Sequence, residues 1–192
     1  MSVLLDAGPA LNFLAVGQQN VLLQTAQQAG LQLTVPERVD REVDGMCKDA
    51  RFKRTSAAGT WTKLKAGGHV AILADDLTTT SFAAAVARIS GVPARQRVKT
   101  RKSLGEILVL AHASVLAQAG TDVFVLIDEQ DGRNRGTREQ DWLKRTGAPG
   151  QLRMWRTRQV LKNANATWFV GGLTWEQVYN RMRPFDDGLP AL

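Results

Sequence analysis

The sequence predicts an α/β fold built around a mainly parallel sheet, and the order of its apolar segments leads to this class. Short apolar runs alternate along the chain with segments of helical periodicity, which is the pattern of repeated strand–helix units. The apolar content of 44% is ordinary for a globular protein and sufficient for a core. At 192 residues, we expect one main domain with a short appended element.

The first half of the chain predicts three strands with helices between them. Gly8-Pro9 ends the first apolar run, and Pro9 fits the first turn of a helix. Gly30 is a plausible C-terminal cap for the helical segment that follows. The predicted elements are a strand at 3–6, two helices on either side of Gly17, a strand at 31–35, a helix carrying residues 39–46, a strand at 69–74 and a helix at 82–89. The basic segment 51–65 yields no assignment.

The second half contains the strongest strand pattern of the chain, at 122–128, where five apolar residues follow one another. Ser103 is a candidate N-cap for a long helix at 104–119, which Gly120 ends. The remaining predicted elements are a helix at 137–144, a strand at 152–155, a helix at 158–164 and a final helix at 173–182. We expect the tail, 184–192, to lie irregularly on the surface.

The composition argues against a membrane-spanning protein and against a disulfide-bonded secreted protein. The longest apolar runs are far too short to cross a bilayer, and the first residues lack the pattern of a signal peptide. Cys47 is the only cysteine, so we expect neither an internal disulfide nor a cysteine-based zinc site. These features predict a cytoplasmic protein with no membrane association.

The charge balance favours a polyanionic partner. The chain carries 25 Lys and Arg against 18 Asp and Glu, a formal net charge of +7. If four acids gather in one site, the rest of the surface carries about +11. A basic rim around an acidic centre suits a nucleic acid, although a solvated basic surface without that role is the simpler alternative.

Four acids occur at the ends of apolar runs and are candidate catalytic residues: Asp6, Glu42, Glu106 and Asp128. Carboxylates at the ends of buried strands meet at one edge of the sheet, where ligand sites of open α/β folds form. Because converging carboxylates repel one another, this pattern predicts a divalent cation. Hard oxygen ligands favour Mg²⁺ or Mn²⁺.

Each acid also has a simpler interpretation. Asp6 could cap the helix that begins near Pro9. Glu42 could be a solvated helix residue, and Glu106 could be the capping-box partner of Ser103. Asp131, a further candidate ligand, could be a turn residue before Gly132. The pairs Asp75-Asp76 and Asp186-Asp187 are interpreted as solvated turns, and His112 as structural or partly exposed.

Four segments resemble, in their order, those of the PIN domain nucleases. Residues 3–12 (VLLDAGPALN) are similar to the family's opening strand, with its first metal carboxylate and a polar residue on the next helix. Residues 35–42 (VPERVDRE) resemble its strand, proline and helix with a glutamate. Residues 104–119 resemble its Gly-Glu start of a long Ala-rich helix, and 123–133 its strand ending in an acidic cluster. Gly8 departs from the family, which often has a hydroxyl there.

The resemblance implies a PIN-like α/β/α sandwich at 1–170, followed by a C-terminal helix and tail at 171–192. It implies a Mg²⁺- or Mn²⁺-dependent endoribonuclease, the toxin of a type II toxin–antitoxin pair, with a small antitoxin partner and often a homodimer. Asp6, Glu106, Asp128 and Asp131 would be metal ligands, and Glu42 would complete the acidic ring. The alternative is a non-catalytic PIN-like module that binds RNA or a protein.

Basic and polar residues around these acids are candidates for binding the RNA backbone. Phosphate contacts of this kind position a nucleic acid and contribute little sequence information. Asn12 would orient a water molecule or a phosphate oxygen by hydrogen bonding. The expected basic contacts are Arg95, Arg97, Lys99, Arg101 and Lys102, in a segment predicted to be an exposed loop, together with Arg133.

Overall fold

A computed structural model describes residues 1–186 and 188–192, and in this part of the chain a single all-parallel sheet has the strand order β3-β2-β1-β4-β5. The strands are β1 (Ser2–Leu5), β2 (Gln32–Pro36), β3 (Val70–Leu73), β4 (Val123–Leu126) and β5 (Leu152–Trp155). Each lies within two residues of a predicted strand. The α/β class and the sandwich architecture are confirmed.

The helices cover both faces of this sheet. Val3, Leu4 and Leu5 are consecutive in β1 and all completely buried. Because successive side chains of a strand point to opposite faces, both faces must be covered. The helices are α1 (Ala7–Ala15), α2 (Gln19–Gln28), α3 (Glu37–Met46), α4 (Ala57–Ala66), α5 (Thr80–Ser90), α6 (Ala94–Arg97), α7 (Leu104–Gln118), α8 (Gln130–Arg145), α9 (Thr157–Asn163) and α10 (Trp175–Met182).

The strand order reverses between β1 and β4. From β1 the chain proceeds to β2 and β3 on one side, and then to β4 and β5 on the other. The ladder pairs Leu5 with Leu126, and the Asp6 backbone N–H donates to the Leu126 carbonyl at 3.1 Å. In open α/β sheets, ligands bind in the crevice at such a switch point, outside the carboxyl ends of the strands. Asp6 lies at this edge.

Two helices differ from the sequence expectation. The unassigned basic segment contains α4, whose Trp61 is buried and donates from Nε1 to Asp40 Oδ1 at 2.8 Å. Helix α8 begins at Gln130 rather than Thr137. Gly132 and Gly136 lower the intrinsic helix propensity of its first turns, yet both are buried where the helix packs closely on its neighbours.

The C-terminal segment shares the main core. Val178, Tyr179 and Met182 of α10 are completely or almost completely buried within it. Leu189 is buried as well, and the Tyr179 hydroxyl donates to the Pro190 carbonyl at 3.0 Å. The expectation of a tail lying only on the surface was therefore wrong for Leu189. Among the described residues, none of the helices is long and apolar enough to span a membrane.

Candidate functional site

Four carboxylates line one cavity of about 170 Å³ at the carboxyl edge of the sheet: Asp6, Glu42, Glu106 and Glu129. We call it the acidic cavity. Its remaining lining comes from Ala7 and the segment 103–105. Three of the four acids were singled out from the sequence, and they are brought together by β1, α3 and α7, which are distant along the chain.

Asp6 follows β1 and precedes α1. It occupies the N-cap position of that helix, but its side chain makes no capping hydrogen bond. Burial raises the pKa of Asp6 to about 7, with Glu42, Glu129 and Asp128 adding to the rise and the Ala7 backbone N–H opposing it. The simpler interpretation of Asp6 as a helix cap was therefore wrong.

Glu42 projects from the second turn of α3 and is half-buried. It accepts a hydrogen bond from Arg38 Nε at 2.7 Å, one helical turn earlier. Behind this pair, the Arg38 backbone N–H donates to Asp75 Oδ2 at 2.7 Å, and Asp75 Oδ1 lies 2.9 Å from His112 Nε2. Asp75 is thus a half-buried hydrogen-bond partner of α3 and not a solvated turn, whereas Asp76 does stabilise the following turn through Thr78.

Glu106 lies in the first turn of α7 and is almost completely buried. Ser103, at the N-cap, has a positive φ of 52° and makes no side-chain cap, so the capping-box interpretation was wrong. Glu106 instead accepts from Arg135 Nη1 at 3.0 Å. Burial raises its pKa to about 9, a hydrogen bond with Glu129 and the charge of Asp6 add to this, and Arg135 opposes it.

Glu129 is the site residue that the sequence pattern missed. It occupies the N-cap position of α8 and reaches the acidic cavity, where its proximity adds to the rise that burial causes in the pKa of Glu106. Glu129 itself is exposed, whereas Glu106 beside it is almost completely buried. The signal would have been the helix start at Gln130, but the predicted helix began seven residues later, at Thr137.

Asp128 and Asp131 lie outside this cavity. Asp128 accepts from the backbone N–H and the hydroxyl of Thr157, at 2.8 and 2.5 Å. Burial raises its pKa, and the two Thr157 hydrogen bonds oppose the rise. Its charge acts on Asp6 from beside the cavity. Asp131 is exposed on the first turn of α8 and does not line the cavity.

The donor set of the acidic cavity matches the preference of Mg²⁺ or Mn²⁺ for carboxylate oxygens. Within the described residues, no three His, Cys, Asp or Glu side chains already form a group that could hold a metal ion. Binding would therefore require these side chains to rearrange around the ion. Burial, together with the neighbouring carboxylates, raises the pKa of Asp6 and of Glu106, and a bound cation would favour their ionised forms.

The basic candidates do not all point to solvent. Arg97 is 9% exposed and donates to the carbonyls of Thr100 and Lys102, so its expected role in an exposed RNA-binding loop was wrong. The reason is geometric, because α6 ends at Arg97 and the guanidinium binds the carbonyls of the turn that leads to Ser103. Arg95, Lys99, Arg101 and Lys102 are exposed.

Arg133 lies near Asp128 and has side-chain N–H donors without a hydrogen-bond partner in the part of the chain that the structure describes. Its Nε and Nη1 atoms are buried and lack hydrogen-bond partners among the described residues. Burial and the nearby Arg156 lower the pKa of Arg133, and Asp128 opposes this effect. A phosphate oxygen would satisfy these donors.

Asn12 is almost completely buried on α1 and donates from Nδ2 to Asp186 Oδ2 at 2.6 Å. Asp186 is therefore held against α1, and its interpretation as a solvated turn was wrong; Asp187 lies outside the described residues. Asn12 also lines a second cavity of about 460 Å³, which shares Glu129 with the acidic cavity. Phe52 and Phe185 form aromatic walls there, and we call it the aromatic cavity.

Gly105 gives a test of how closely the acids are packed. A Cβ at Gly105 would collide with Glu42 Oε2, whereas a Cβ at Gly59 in α4 would meet nothing within 4 Å. Gly59→Ala should stabilise the fold by about 0.5–1 kcal/mol through helix propensity. Gly105→Ala should lose that gain and weaken Mn²⁺ binding several-fold because Glu42 is displaced. Denaturant unfolding and calorimetric titration measure both; equal behaviour of the two variants would contradict this packing.

No protein family model, no curated protein and no solved structure matches this chain.

Proposed function

We propose that the chain is a divalent-metal-dependent endoribonuclease whose active centre is the acidic cavity. The observation that supports this most directly is the convergence of Asp6, Glu42, Glu106 and Glu129 beside the switch point of a parallel sheet. Glu106 is almost completely buried and Asp6 is half-buried. Removing carboxylates from water costs folding free energy, so such a cluster is expected where a cation or a reaction requires it.

Hydrolysis of a phosphodiester requires charge neutralisation on the phosphate and a water molecule that is activated near neutral pH. A bound Mg²⁺ or Mn²⁺ supplies both. Asp6, Glu106 and Glu129 would hold the ion, directly or through water molecules, and Glu42 would complete the ring from its salt bridge with Arg38. Asp128, fixed by Thr157, would add negative charge from beside the cavity.

RNA is the proposed substrate because exposed basic residues lie next to a segment that lines this acidic centre. Arg95 lies on α6, and Lys99, Arg101 and Lys102 lie in the turn that leads from α6 into α7, whose first residues line the acidic cavity. Arg133 has two buried side-chain nitrogens without hydrogen-bond partners among the described residues. The resemblance to PIN domain toxins further suggests inhibition by a small antitoxin and formation of a homodimer, and it is the only support for these two partners.

The most direct test compares variants of Glu129 and Asp131, two acids at the start of α8. Glu129→Gln should lower the Mn²⁺-dependent cleavage rate of a single-stranded RNA by about 10²-fold or more, because it removes a carboxylate from the cavity. Asp131→Asn should leave the rate within about twofold, because that side chain is exposed outside the cavity.

The assay is single-turnover cleavage of an end-labelled RNA, with binding measured in parallel. Loss of activity in Asp131→Asn but not in Glu129→Gln would contradict the proposed centre. RNA binding with no cleavage by the wild-type protein under Mg²⁺ or Mn²⁺ would replace the nuclease with the non-catalytic binding module.

A further inference from the structure

The aromatic cavity is a separate chamber that opens beside the proposed catalytic acids. Its volume of about 460 Å³ is within the range of small-ligand pockets. Leu11, Met46 and the two phenylalanines supply apolar walls. Glu129 lines both cavities, so a group bound here would lie next to the bond that is cleaved in the acidic cavity.

The two phenylalanines pack against each other, and Phe185 is the one that can present a face to a flat ring. The Phe52 and Phe185 ring centroids are 5.4 Å apart, with the rings tilted by 30°. Phe52 is completely buried, whereas Phe185 is partly exposed. A partly exposed aromatic face at the wall of a cavity is the usual platform on which a protein stacks an unpaired base.

The polar groups of the aromatic cavity are mainly hydrogen-bond acceptors. Asp186 holds Asn12 Nδ2 at 2.6 Å and the Gly188 backbone N–H at 2.8 Å, and each carboxylate oxygen retains accepting capacity. Asn12 is 1% exposed, and its Oδ1 has no partner among the described residues. Glu129 adds a further carboxylate. The cavity therefore favours a ligand that presents several donors.

The aromatic cavity also has a cationic side chain, Arg51, which bears on the kind of ligand that fits. Arg51 lines the cavity and donates from Nη1 to the Phe185 carbonyl at 3.3 Å, which leaves its other donors available. Asp186 and Glu129 would attract a guanidinium or ammonium ligand, whereas Arg51 would repel it. A neutral base attached to a phosphate would use both kinds of group, with its donors at the carboxylates and its phosphate at Arg51, because Arg binds phosphate oxygens well.

We propose that the aromatic cavity binds a guanine base of the RNA, next to the cleaved phosphodiester. Guanine alone among the four RNA bases offers two adjacent donors, N1–H and the N2 amino group, which a single carboxylate can accept. Adenine and cytosine place an acceptor next to their amino group, and uracil has one donor between two carbonyls. Asp186 accepts the guanine edge, Phe185 stacks on its face, and Arg51 contacts its phosphate. The assignment rests on the proposed ribonuclease function for the identity of the polymer.

The test compares labelled pentanucleotides that contain one guanosine, inosine or adenosine among uridines. Inosine retains N1–H and lacks only the 2-amino group. Fluorescence anisotropy in EDTA measures binding without cleavage. The guanosine oligonucleotide should bind at least about tenfold more tightly than the inosine one, the usual effect of losing a hydrogen bond to a charged group.

Two variants locate the effect in this cavity. Asp186→Asn keeps an acceptor for Asn12 but removes the charged pair of oxygens, and it should reduce the guanosine preference to about twofold or less. Phe185→Leu keeps the bulk and removes the stacking face, and it should weaken binding of all three oligonucleotides by about tenfold. Asp141→Asn, an exposed acid on α8, is the matched control. Thermal unfolding checks that each variant is folded.

Equal binding of guanosine and inosine would overturn the assignment, as would a preference that survives Asp186→Asn. Competition by arginine amide, with no base preference, would assign the cavity to a protein partner instead. Cleavage in Mn²⁺ is read separately from these titrations. A guanosine preference without cleavage would retain the base site and remove the nuclease proposal, whereas cleavage without base preference would do the reverse.

Discussion

Asp6→Asn should abolish metal-dependent RNA cleavage, with a fall in single-turnover rate of at least about 10²- to 10³-fold. Asparagine has nearly the same shape, so the buried position at the end of β1 should still be filled. The change removes the negative charge that lies closest to the switch point between β1 and β4. Mn²⁺ affinity, measured by calorimetry, should fall in parallel.

The same variant should not destabilise the metal-free fold at neutral pH. Burial raises the pKa of Asp6 to about 7, which means that its ionised form is unfavourable in the folded state. Replacing it with a neutral amide removes that cost. Loss of activity together with a large loss of stability would indicate a structural role for Asp6; unchanged cleavage would remove it from the active centre.

The metal-free protein should lose stability as pH rises from about 4 to about 9. Asp6 has a pKa near 3.8 when unfolded and about 7 when folded, and for Glu106 the values are 4.5 and about 9. Between those values the folded state binds more protons than the unfolded state, so the free energy of unfolding falls with increasing pH. We expect a decrease of at least about 2 kcal/mol over this window, because each pKa unit of difference corresponds to about 1.4 kcal/mol.

Urea unfolding at a series of pH values, in EDTA, measures this dependence. Glu106→Gln should flatten the upper part of the profile, and Asp6→Asn the part below about pH 7. Asp131→Asn, whose side chain is exposed, should keep the wild-type profile. Saturating Mn²⁺ should reduce the slope in the wild-type protein because the ion binds the ionised carboxylates of the folded state. Stability that is constant or rises towards pH 9 would contradict the buried acidic cluster.

Local sequence patterns were sufficient for the fold class and for three of the four acids. Each strand is a short apolar run that ends in a polar or turn-forming residue. Its position, and its burial between two layers of helices, can therefore be predicted from the local sequence. Asp6 directly follows such a run. Glu42 lies in the second turn of α3 and Glu106 in the first turn of α7. Both helix starts follow recognisable breaks in the sequence, so these acids too could be expected at the same edge.

Glu129 and Asp186 could not be identified in this way. The start of α8 could not be predicted because two glycines reduce the local helix propensity there. The same glycines allow close packing on Glu106 and Met154. Asp186 lies in an irregular segment 174 residues from Asn12, its hydrogen-bond partner. Nothing in the local pattern of either segment records that contact.

Local patterns of apolar and polar residues are enough to predict a parallel sheet with acids at its carboxyl edge in a basic chain. Which acids meet there depends on the three-dimensional packing. Glu129 lines the acidic cavity, whereas Asp128 binds Thr157 beside it. Asp131 is exposed to solvent, and Arg97 is buried against the turn before α7. Whether a segment forms a helix or a strand depends mainly on residues that are close in sequence. The direction of a side chain at the end of a helix or strand depends on hydrogen-bond and packing partners that are distant in sequence.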